Sequence, residues 1–402
     1  MKGCSSLQNL DTSKLVGTKA TSASEMFNSC SLLKVIDLSR FNSELIQSMY
    51  SMFISCSSLT SINLSGLSTK NNVYFDYMFS GCSNLKELNI AHFNTEKAES
   101  MKGMFRLAET LTSLNLYNFD TKYVGSMEGM FEGCTNLKYL NIENFEGEKV
   151  SSISYMFENC ISLTSINLPK FKTSNLRTMM RTFNNCTSLE YLSIPLLETS
   201  GIYNYNNLFK NCKSLKSLAL PRFSTDTIMS FSGMFSGCSK LTSLDLSHFD
   251  PSYATIFDSM FEGCESLSSL SLKNFITTNA KSMSNMFKDC KSLTSLDLSY
   301  LKTDNVETME KMFYSCNALT SLDLSKFVTT KVTNMAQMFY DINSMNALDI
   351  SGFETTNCKN FTGIFDECKN NVTLIINSKK CANLYNNIPE YFNIQDLSIF
   401  LN

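Results

Sequence analysis

The sequence predicts an α/β solenoid of about 14 coils of 26 residues, with a parallel β-sheet on one face and short helices on the other. Three observations predict this fold. Cysteines recur at a fixed step, each step holds a segment in which apolar and polar residues alternate, and a second segment has helical spacing. Because a solenoid grows by adding coils that contact only their neighbours, the 402 residues form one continuous array instead of several globular domains.

The cysteine column is the most regular feature. Thirteen of the 15 cysteines lie on one 26-residue grid, namely Cys4, Cys30, Cys56, Cys82, Cys134, Cys160, Cys186, Cys212, Cys238, Cys264, Cys290, Cys316 and Cys368. Ala108 and Ile342 occupy the two remaining grid points, and from Cys30 onward a phenylalanine lies three residues before every grid point. Because apolar residues replace the thiol, we interpret the column as buried packing, and off-grid Cys358 likewise. Cys381, near the C-terminus, could be exposed.

Geometry disfavours two chemical interpretations of these cysteines. Neighbours in a ladder would lie about 4.8 Å apart with parallel side chains, whereas a disulfide needs Cβ atoms about 3.8 Å apart that point toward each other. A zinc site needs ligands that close a tetrahedron, and the chain has no Cys-x-x-Cys pair. We therefore expect no metal and no cofactor.

The first half of each coil predicts a short strand. Leu244 and Leu246 alternate with Asp245 and Ser247, which is a period of two with one face buried. Strands from successive coils would pair in parallel. The sheet would therefore follow the whole array.

The second half of each coil predicts a helix of about two turns, because apolar residues recur at i, i+3, i+6 and i+7. In one coil these residues are Val306, Met309, Met312 and Phe313. Thr303 or Asp304 could cap the first turn through a side-chain oxygen.

The grid sets the domain boundaries. Residues 1–376 form the repeat array, which starts inside a repeat because Cys4 already lies on the grid. Residues 377–402 are too short for another full coil but are rich in apolar residues. We predict that they form a C-terminal cap over the last coil, since an exposed sheet end needs cover.

The motif Leu293-x-x-Leu296-x-Leu298 is the strand signature of leucine-rich repeats. The longer pattern Met-Phe-x-x-Cys-x-x-Leu-x-x-Leu-x-Leu-Ser-x-Phe-x-Thr resembles the 26-residue repeats of BspA-like surface proteins of bacteria and protists, from about Met1 to Ile376. It departs from ordinary leucine-rich repeats by placing phenylalanine where an asparagine ladder usually lies. The resemblance implies a cell-surface protein that binds host proteins, matrix or other cells.

The sequence argues against catalysis. Its two histidines, His92 and His248, lie six coils apart in the same turn position and cannot share one site. No phosphate-binding loop, His-Glu metal motif or nucleophile elbow occurs. The net charge of −3 without a basic run indicates no nucleic-acid partner. The lack of an apolar stretch of about 18 residues indicates no membrane insertion.

A column of acidic and amide side chains occupies the outward middle of the strands. Its members are Asp37, Asn63, Asn89, Asn115, Asn141, Asn167, Asp245, Asp297, Asp323 and Asp349. Stacked carboxylates could hold a hard cation such as calcium. The alternative is a hydrated polar face.

A patch in the middle coils is the candidate binding site. It replaces the small polar residues of the sheet face with Tyr117, Tyr139, Glu143, Pro169, Tyr191, Pro195 and Pro221. Tyrosine is enriched in binding hot spots, and repeat proteins commonly bind on their extended sheet face. We predict that this patch, on the concave face, binds a protein or glycan. The alternative is drift at tolerant surface positions, where the prolines terminate strands.

We therefore expect a non-catalytic binding or adhesion protein that is exposed at the cell surface or secreted. The alternative is a cytoplasmic interaction scaffold of the same fold. The absence of a signal peptide before the first coil and the many free thiols favour that alternative. The sequence leaves the oligomeric state open.

Overall fold

The computed structural model describes residues 1–17, 19–42, 44–220, 223–368 and 371–399. The fold is built by pairing between successive coils. The chain divides into two compact units, Met1–Gly201 and Ile202–Asn402. Within each unit, strands pair with their equivalents in the next coil, for example Val35 with Ser61 and Ser243 with Ser269. The predicted solenoid of 26-residue coils is confirmed.

Among its described residues the first unit has six strands of three residues, which pair in parallel as β1 with β2, β3 with β4 and β5 with β6. Their bounds are β1 Val35–Asp37, β2 Ser61–Asn63, β3 Ser113–Asn115, β4 Tyr139–Asn141, β5 Ser165–Asn167 and β6 Tyr191–Ser193. The alternation predicted from sequence is present, since Ile36 is buried between exposed Val35 and Asp37. A second parallel ladder of single-residue bridges runs from Ser22 to Thr178.

The second unit repeats this arrangement. Strand β7 pairs with β8, and β9, β10, β11 and β12 form a parallel sheet in chain order. Their bounds are β7 Ser243–Asp245, β8 Ser269–Ser271, β9 Ser321–Asp323, β10 Ala347–Asp349, β11 Thr373–Ile376 and β12 Asn393–Asp396. Single-residue bridges run in parallel from Ser230 to Asn360.

The C-terminal segment continues the stack of strands with a coil shorter than the 26-residue repeat, since Thr373 of β11 pairs with Asn393 of β12. The one-turn helix α1, Ala382–Tyr385, precedes β12, and a 3₁₀ turn, Leu397–Ile399, follows it. Phe392 packs edge-on against Phe365 with ring centroids 5.3 Å apart. The division at residue 376 into array and cap stays a prediction.

The short helices predicted for the second half of each coil are wrong. In the described coils this half consists of turns and single-residue bridges. The N–H groups of Lys311, Phe313 and Ser315 donate to carbonyls of the next coil, at 2.9, 3.0 and 2.9 Å. The N–H groups at 312, 314 and 316 donate to the carbonyl three residues earlier, each at 3.2 Å. Every second N–H therefore donates to the next coil and not to a carbonyl of its own coil. A helix cannot form, because it needs its N–H groups to bond within the same segment.

Left-handed backbone explains why the segment turns. From Cys30 onward, the residue five before each grid point and the residue directly before it have positive φ, as at Lys311 (54°) and Ser315 (52°). A helix needs φ near about −63° at every position, so two left-handed residues per coil interrupt it. The regularly spaced apolar residues of this segment still fill the core, since Val306, Met309 and Met312 are fully buried.

The predicted helix cap at Thr303 or Asp304 is also wrong, because no helix begins there. Instead, Thr303 is buried, its Oγ1 donates to the carbonyl of Val328 in the next coil at 2.9 Å, and it accepts the Val328 N–H at 2.8 Å. Thr121 makes the same pair of bonds with Glu146. This buried threonine column therefore joins neighbouring coils and satisfies its own hydroxyl groups.

Phenylalanine rings fill the core in parallel stacks. Phe131 is fully buried, with its ring centroid 5.7 Å from that of Phe105 and 5.6 Å from that of Phe157. In the second unit, Phe261 stacks on Phe287 at 5.5 Å. Because each coil repeats the same backbone, each ring takes the same orientation as the one before.

A pair of substitutions distinguishes the left-handed turn from a helix. Asn285 has φ +58°. We expect Asn285→Gly to leave the free energy of unfolding unchanged or raised, and Asn285→Val to lower it by about 1–2 kcal/mol, because a β-branched residue resists this conformation. Urea denaturation followed by circular dichroism measures both. In a helix, glycine would destabilise the protein more than valine. A lower free energy of unfolding for Asn285→Gly than for Asn285→Val would therefore contradict the left-handed turn.

The aromatic stack makes a second prediction. Phe131→Ala should destabilise the protein by about 3–5 kcal/mol, because it removes a buried ring and leaves a cavity between two others. The urea midpoint of the variant is compared with that of Tyr123→Ala, which removes an exposed ring. Equal midpoints for the two variants would contradict the core assignment.

Candidate functional site

The sheet face of the first unit, formed by the outward side chains of β1 to β6 and the residues that follow them, carries the predicted patch. Tyr139 begins β4 and Tyr191 begins β6, and both rings are more than half exposed, at 58% and 59%. Their parallel partners are serines, Ser113 and Ser165. Two coils separate these tyrosines, which corresponds to about 10 Å at the usual strand spacing. The rings therefore rise from a surface of small polar side chains.

The other described members of the patch lie two residues after the strands, in one column. Tyr117 and Glu143 are exposed, Pro169 is half-buried and Pro195 is exposed. Glu143 accepts a hydrogen bond from Asn167 Nδ2 at 3.2 Å, so its carboxylate is held by the next coil. Pro221 lies outside the described residues. The first unit thus brings six of the seven predicted residues onto its sheet face.

The acidic and amide column has a local structural role that sequence reasoning missed. Oδ1 of Asp37 accepts the N–H of Ser39 at 2.9 Å, and Oδ1 of Asn63 accepts that of Ser65 at 3.1 Å. The bond from the Ser39 N–H holds the pKa of the Asp37 carboxyl below its usual value. These side chains end the strand by turning the backbone, as aspartate and asparagine do in turns. Among the described residues, no group of three or more His, Cys, Asp or Glu side chains is arranged to hold a metal ion.

The grid cysteines form no disulfide, and all of them are buried except Cys4, which is exposed. Most of the buried thiols donate to the carbonyl of a phenylalanine in the preceding coil, as Cys134 Sγ does to Phe105 O at 3.1 Å. The Phe105 carbonyl also accepts the N–H of Ala108 at 3.0 Å. The cysteine column therefore packs the core, as predicted, and also joins the coils by hydrogen bonds.

Burial suppresses the reactivity of these thiols. It raises the pKa of Cys134 and Cys186 to about 12, since a thiolate there would lose its hydration. Off-grid Cys358 is buried, in agreement with its predicted packing role. The suggestion that Cys381 could be exposed is wrong, because Cys381 is fully buried and its Sγ donates to Phe353 O at 3.2 Å.

Alkylation tests this arrangement. With iodoacetamide at pH 8, we expect one fast adduct per native molecule, on Cys4, and 15 adducts in guanidinium chloride. The raised pKa keeps the buried sulfurs as thiols at this pH, and only the thiolate reacts. Mass spectrometry counts the adducts over time. Rapid modification of several sites in the native protein would contradict the buried column.

A cavity on the turn face of the first unit, the surface formed by the left-handed turns at 77–181, was not foreseen. Its volume is about 480 Å³, within the range of ligand pockets. Three ion pairs between neighbouring coils line it, at N–O distances of 2.9, 2.9 and 2.5 Å. The pairs are Lys102 with Glu128, Arg106 with Glu132, and Arg181 with Glu158.

Glu158 is the most buried charge of this cavity, with 6% of its side chain exposed. Burial raises the pKa of its carboxyl, although a hydrogen bond from Asn184 Nδ2 and the charge of Arg181 oppose this shift. The neighbouring Glu132 carboxylate raises the pKa further. A buried carboxyl with a shifted pKa beside other charges in a cleft is typical of a functional site.

One signal in the sequence could have revealed this cavity. The coils around it carry Arg106, Glu132 and Glu158 at the position two residues before the grid point, and glycine at 103 and 129. On the predicted helix these residues would lie along one coil, whereas in the turns they meet residues of the neighbouring coils. His92, one of the two histidines, lies outside this cavity with Nε2 3.0 Å from Leu64 O.

The chain matches the family described as Mycoplasma protein of unknown function, DUF285, over residues 21–115, 110–194, 179–299 and 268–378. It belongs to this family. The four matches overlap and follow the repeat array almost from end to end. Among curated proteins, none matches the sequence. No described helix has the length and apolar character needed to cross a membrane.

Solved structures of leucine-rich repeat proteins resemble the chain at low identity. A leucine-rich repeat protein from Eubacterium ventriosum is 16% identical over 72% of this chain and 83% of that one, with a TM-score of 0.27. A chain of the Drosophila Toll–Spatzle complex is 14% identical over 89% and 48%, with a TM-score of 0.25. A chain of the TLR13–ssRNA13 complex is 17% identical over 82% and 48%, with a TM-score of 0.28. This chain therefore spans about half the length of the last two.

Proposed function

We propose that this protein is a non-catalytic adhesin of the cell surface, which binds a protein or glycan of another cell through the sheet face of its first unit. The observation that carries the proposal is the exposure of Tyr139 and Tyr191 on a face where their strand partners are serines. Tyr117, about half exposed, extends the same surface.

The chemistry of the patch supports binding. A tyrosine ring offers a large apolar contact at low cost in side-chain entropy, and its hydroxyl can pair with a polar partner. Repeated short strands hold these rings on a rigid backbone, which keeps the entropy lost on binding small. Both protein surfaces and sugar rings stack well on such side chains.

The surface location rests on the resemblance to BspA-like repeat proteins. A specific observation favours a second candidate, an intracellular interaction scaffold, because the chain holds 15 cysteines and none of the described ones forms a disulfide. Burial of the thiols reconciles free cysteines with an oxidising exterior. Protease treatment of intact cells of the source organism separates these candidates. Loss of the full-length protein supports surface exposure, and complete protection supports the scaffold.

The double variant Tyr139→Ser and Tyr191→Ser tests the binding face. Beads coated with the variant should attach to cultured epithelial cells at least about tenfold more weakly than beads coated with the natural protein, because hot-spot tyrosines contribute about 1–2 kcal/mol or more each. Treating the cells with protease or with glycosidase shows which class of ligand is bound.

The matched control is Tyr123→Ser with Tyr253→Ser, two tyrosines that are 54% and 60% exposed outside the strands. Urea denaturation confirms that all variants fold. Equal attachment of the patch variant and the natural protein would remove the sheet face as the binding surface.

A further inference from the structure

A missing side chain opens the cavity on the turn face. The left-handed position five residues before the grid point holds Tyr77, Gly103, Gly129 and Tyr155 in four successive coils. The Tyr77 ring lies over Gly103, since a Cβ atom there would clash with Cδ1 of the ring. At Gly129 the nearest atom to such a Cβ is Oε2 of Glu132, at 3.1 Å. A slot with a glycine floor therefore lies between the two tyrosines.

Charge is ordered along this slot. The two central coils contribute three carboxylates, and the flanking coils contribute three cations. The carboxylates are those of Glu128, Glu132 and Glu158, and the cations are those of Lys102, Arg106 and Arg181. The centre of the slot is therefore acidic, although the six charges sum to zero.

Acceptor atoms remain for a ligand. Arg181 and Asn184 both contact Oε1 of Glu158, at 2.5 and 2.9 Å, and Lys102 contacts Oε1 of Glu128 at 2.9 Å. A carboxylate can accept about four hydrogen bonds, so the second oxygen of each group can accept more. Carboxylate oxygens that can still accept hydrogen bonds favour a donor-rich ligand.

We infer that this slot binds the guanidinium group of an arginine side chain from a protein partner. A guanidinium group presents five N–H donors in one plane, which suits the carboxylate oxygens that two neighbouring coils bring into the slot. Its faces stack on aromatic rings. The Tyr155 ring already has a guanidinium over it, since Arg181 Cζ lies 5.8 Å from the ring centroid.

Other ligands fit this slot less well. An anionic group would be repelled by the central carboxylates and would meet cations that are already paired at 2.9 Å or less. An ammonium group carries the right charge but lacks the planar fork that engages two carboxylates at once. The site is on a different surface from the tyrosine patch, so it does not depend on the proposed adhesion.

Calorimetric titration of the purified full chain with short peptides tests the inference. The probes are acetyl-Gly-Arg-Gly-amide, the same peptide with lysine, the same peptide with neutral citrulline, and spermidine. We expect the arginine peptide to bind at least about tenfold more tightly than each of the others, because only it combines charge with a planar donor array.

Two variants test whether the arginine peptide binds in the slot. Glu158→Gln keeps the shape of the side chain and should weaken arginine binding at least about tenfold, since it removes a buried charge. Gly129→Tyr fills the slot and should abolish binding, and tyrosine is compatible with left-handed backbone at 77 and 155 of the same column. The matched control is Glu262→Gln, which removes a carboxylate paired with Lys288 in the second unit and should change nothing.

Three outcomes would overturn the inference. They are no binding of the arginine peptide at millimolar concentration, binding of the citrulline peptide with equal affinity, and full binding by folded Glu158→Gln or Gly129→Tyr. If spermidine bound as tightly as the arginine peptide, the ligand would be a small polyamine and not an arginine side chain of a protein. If Glu158→Gln does not fold, Gly129→Tyr decides alone, since it leaves Glu158 and its partners Arg181 and Asn184 unchanged.

Discussion

Hydrogen bonds from one coil to the next, at a constant offset along the chain, are the interaction on which the rest of this structure depends. In the turn half of each coil they form because two residues adopt left-handed backbone, which turns every second N–H outward to the next coil. A single 26-residue coil has no partner for these groups, and an unpaired buried N–H costs about 1–3 kcal/mol. The coils therefore stabilise one another, and like residues are brought into columns.

Much of this architecture could be predicted from the sequence, because the period and the burial pattern are properties of the repeat. The grid placed Phe131 and Cys134 in the core, and both are there. The helix was wrong because apolar residues at i, i+3 and i+7 face inward on a helix and also on consecutive tight turns. Gly129 and Gly133 in one coil, and Asn207 and Asn211 in another, were the signal for turns, since these residues tolerate positive φ.

The two candidate sites differ in how much of each could be predicted from the sequence. The tyrosines at 139 and 191 follow the two-residue period of a strand, so their exposure could be read directly. The slot around Glu158 depends on contacts between residues of neighbouring coils and on a ring that covers Gly103. Packing determines which of the neighbouring charged side chains form pairs and which carboxylate oxygen stays available to a ligand. The two sites also differ chemically, since one offers aromatic rings and the other offers buried carboxylates.

The constant offset also limits how the gene can change in length. Inserting one residue into a coil such as 290–315 would move Phe313 out of its stack and separate the Thr303 hydroxyl from Val328. Duplicating or deleting one whole period leaves every column in place. We therefore expect related genes to differ in length by whole multiples of the 26-codon period within the array, which unequal recombination between neighbouring repeats would produce.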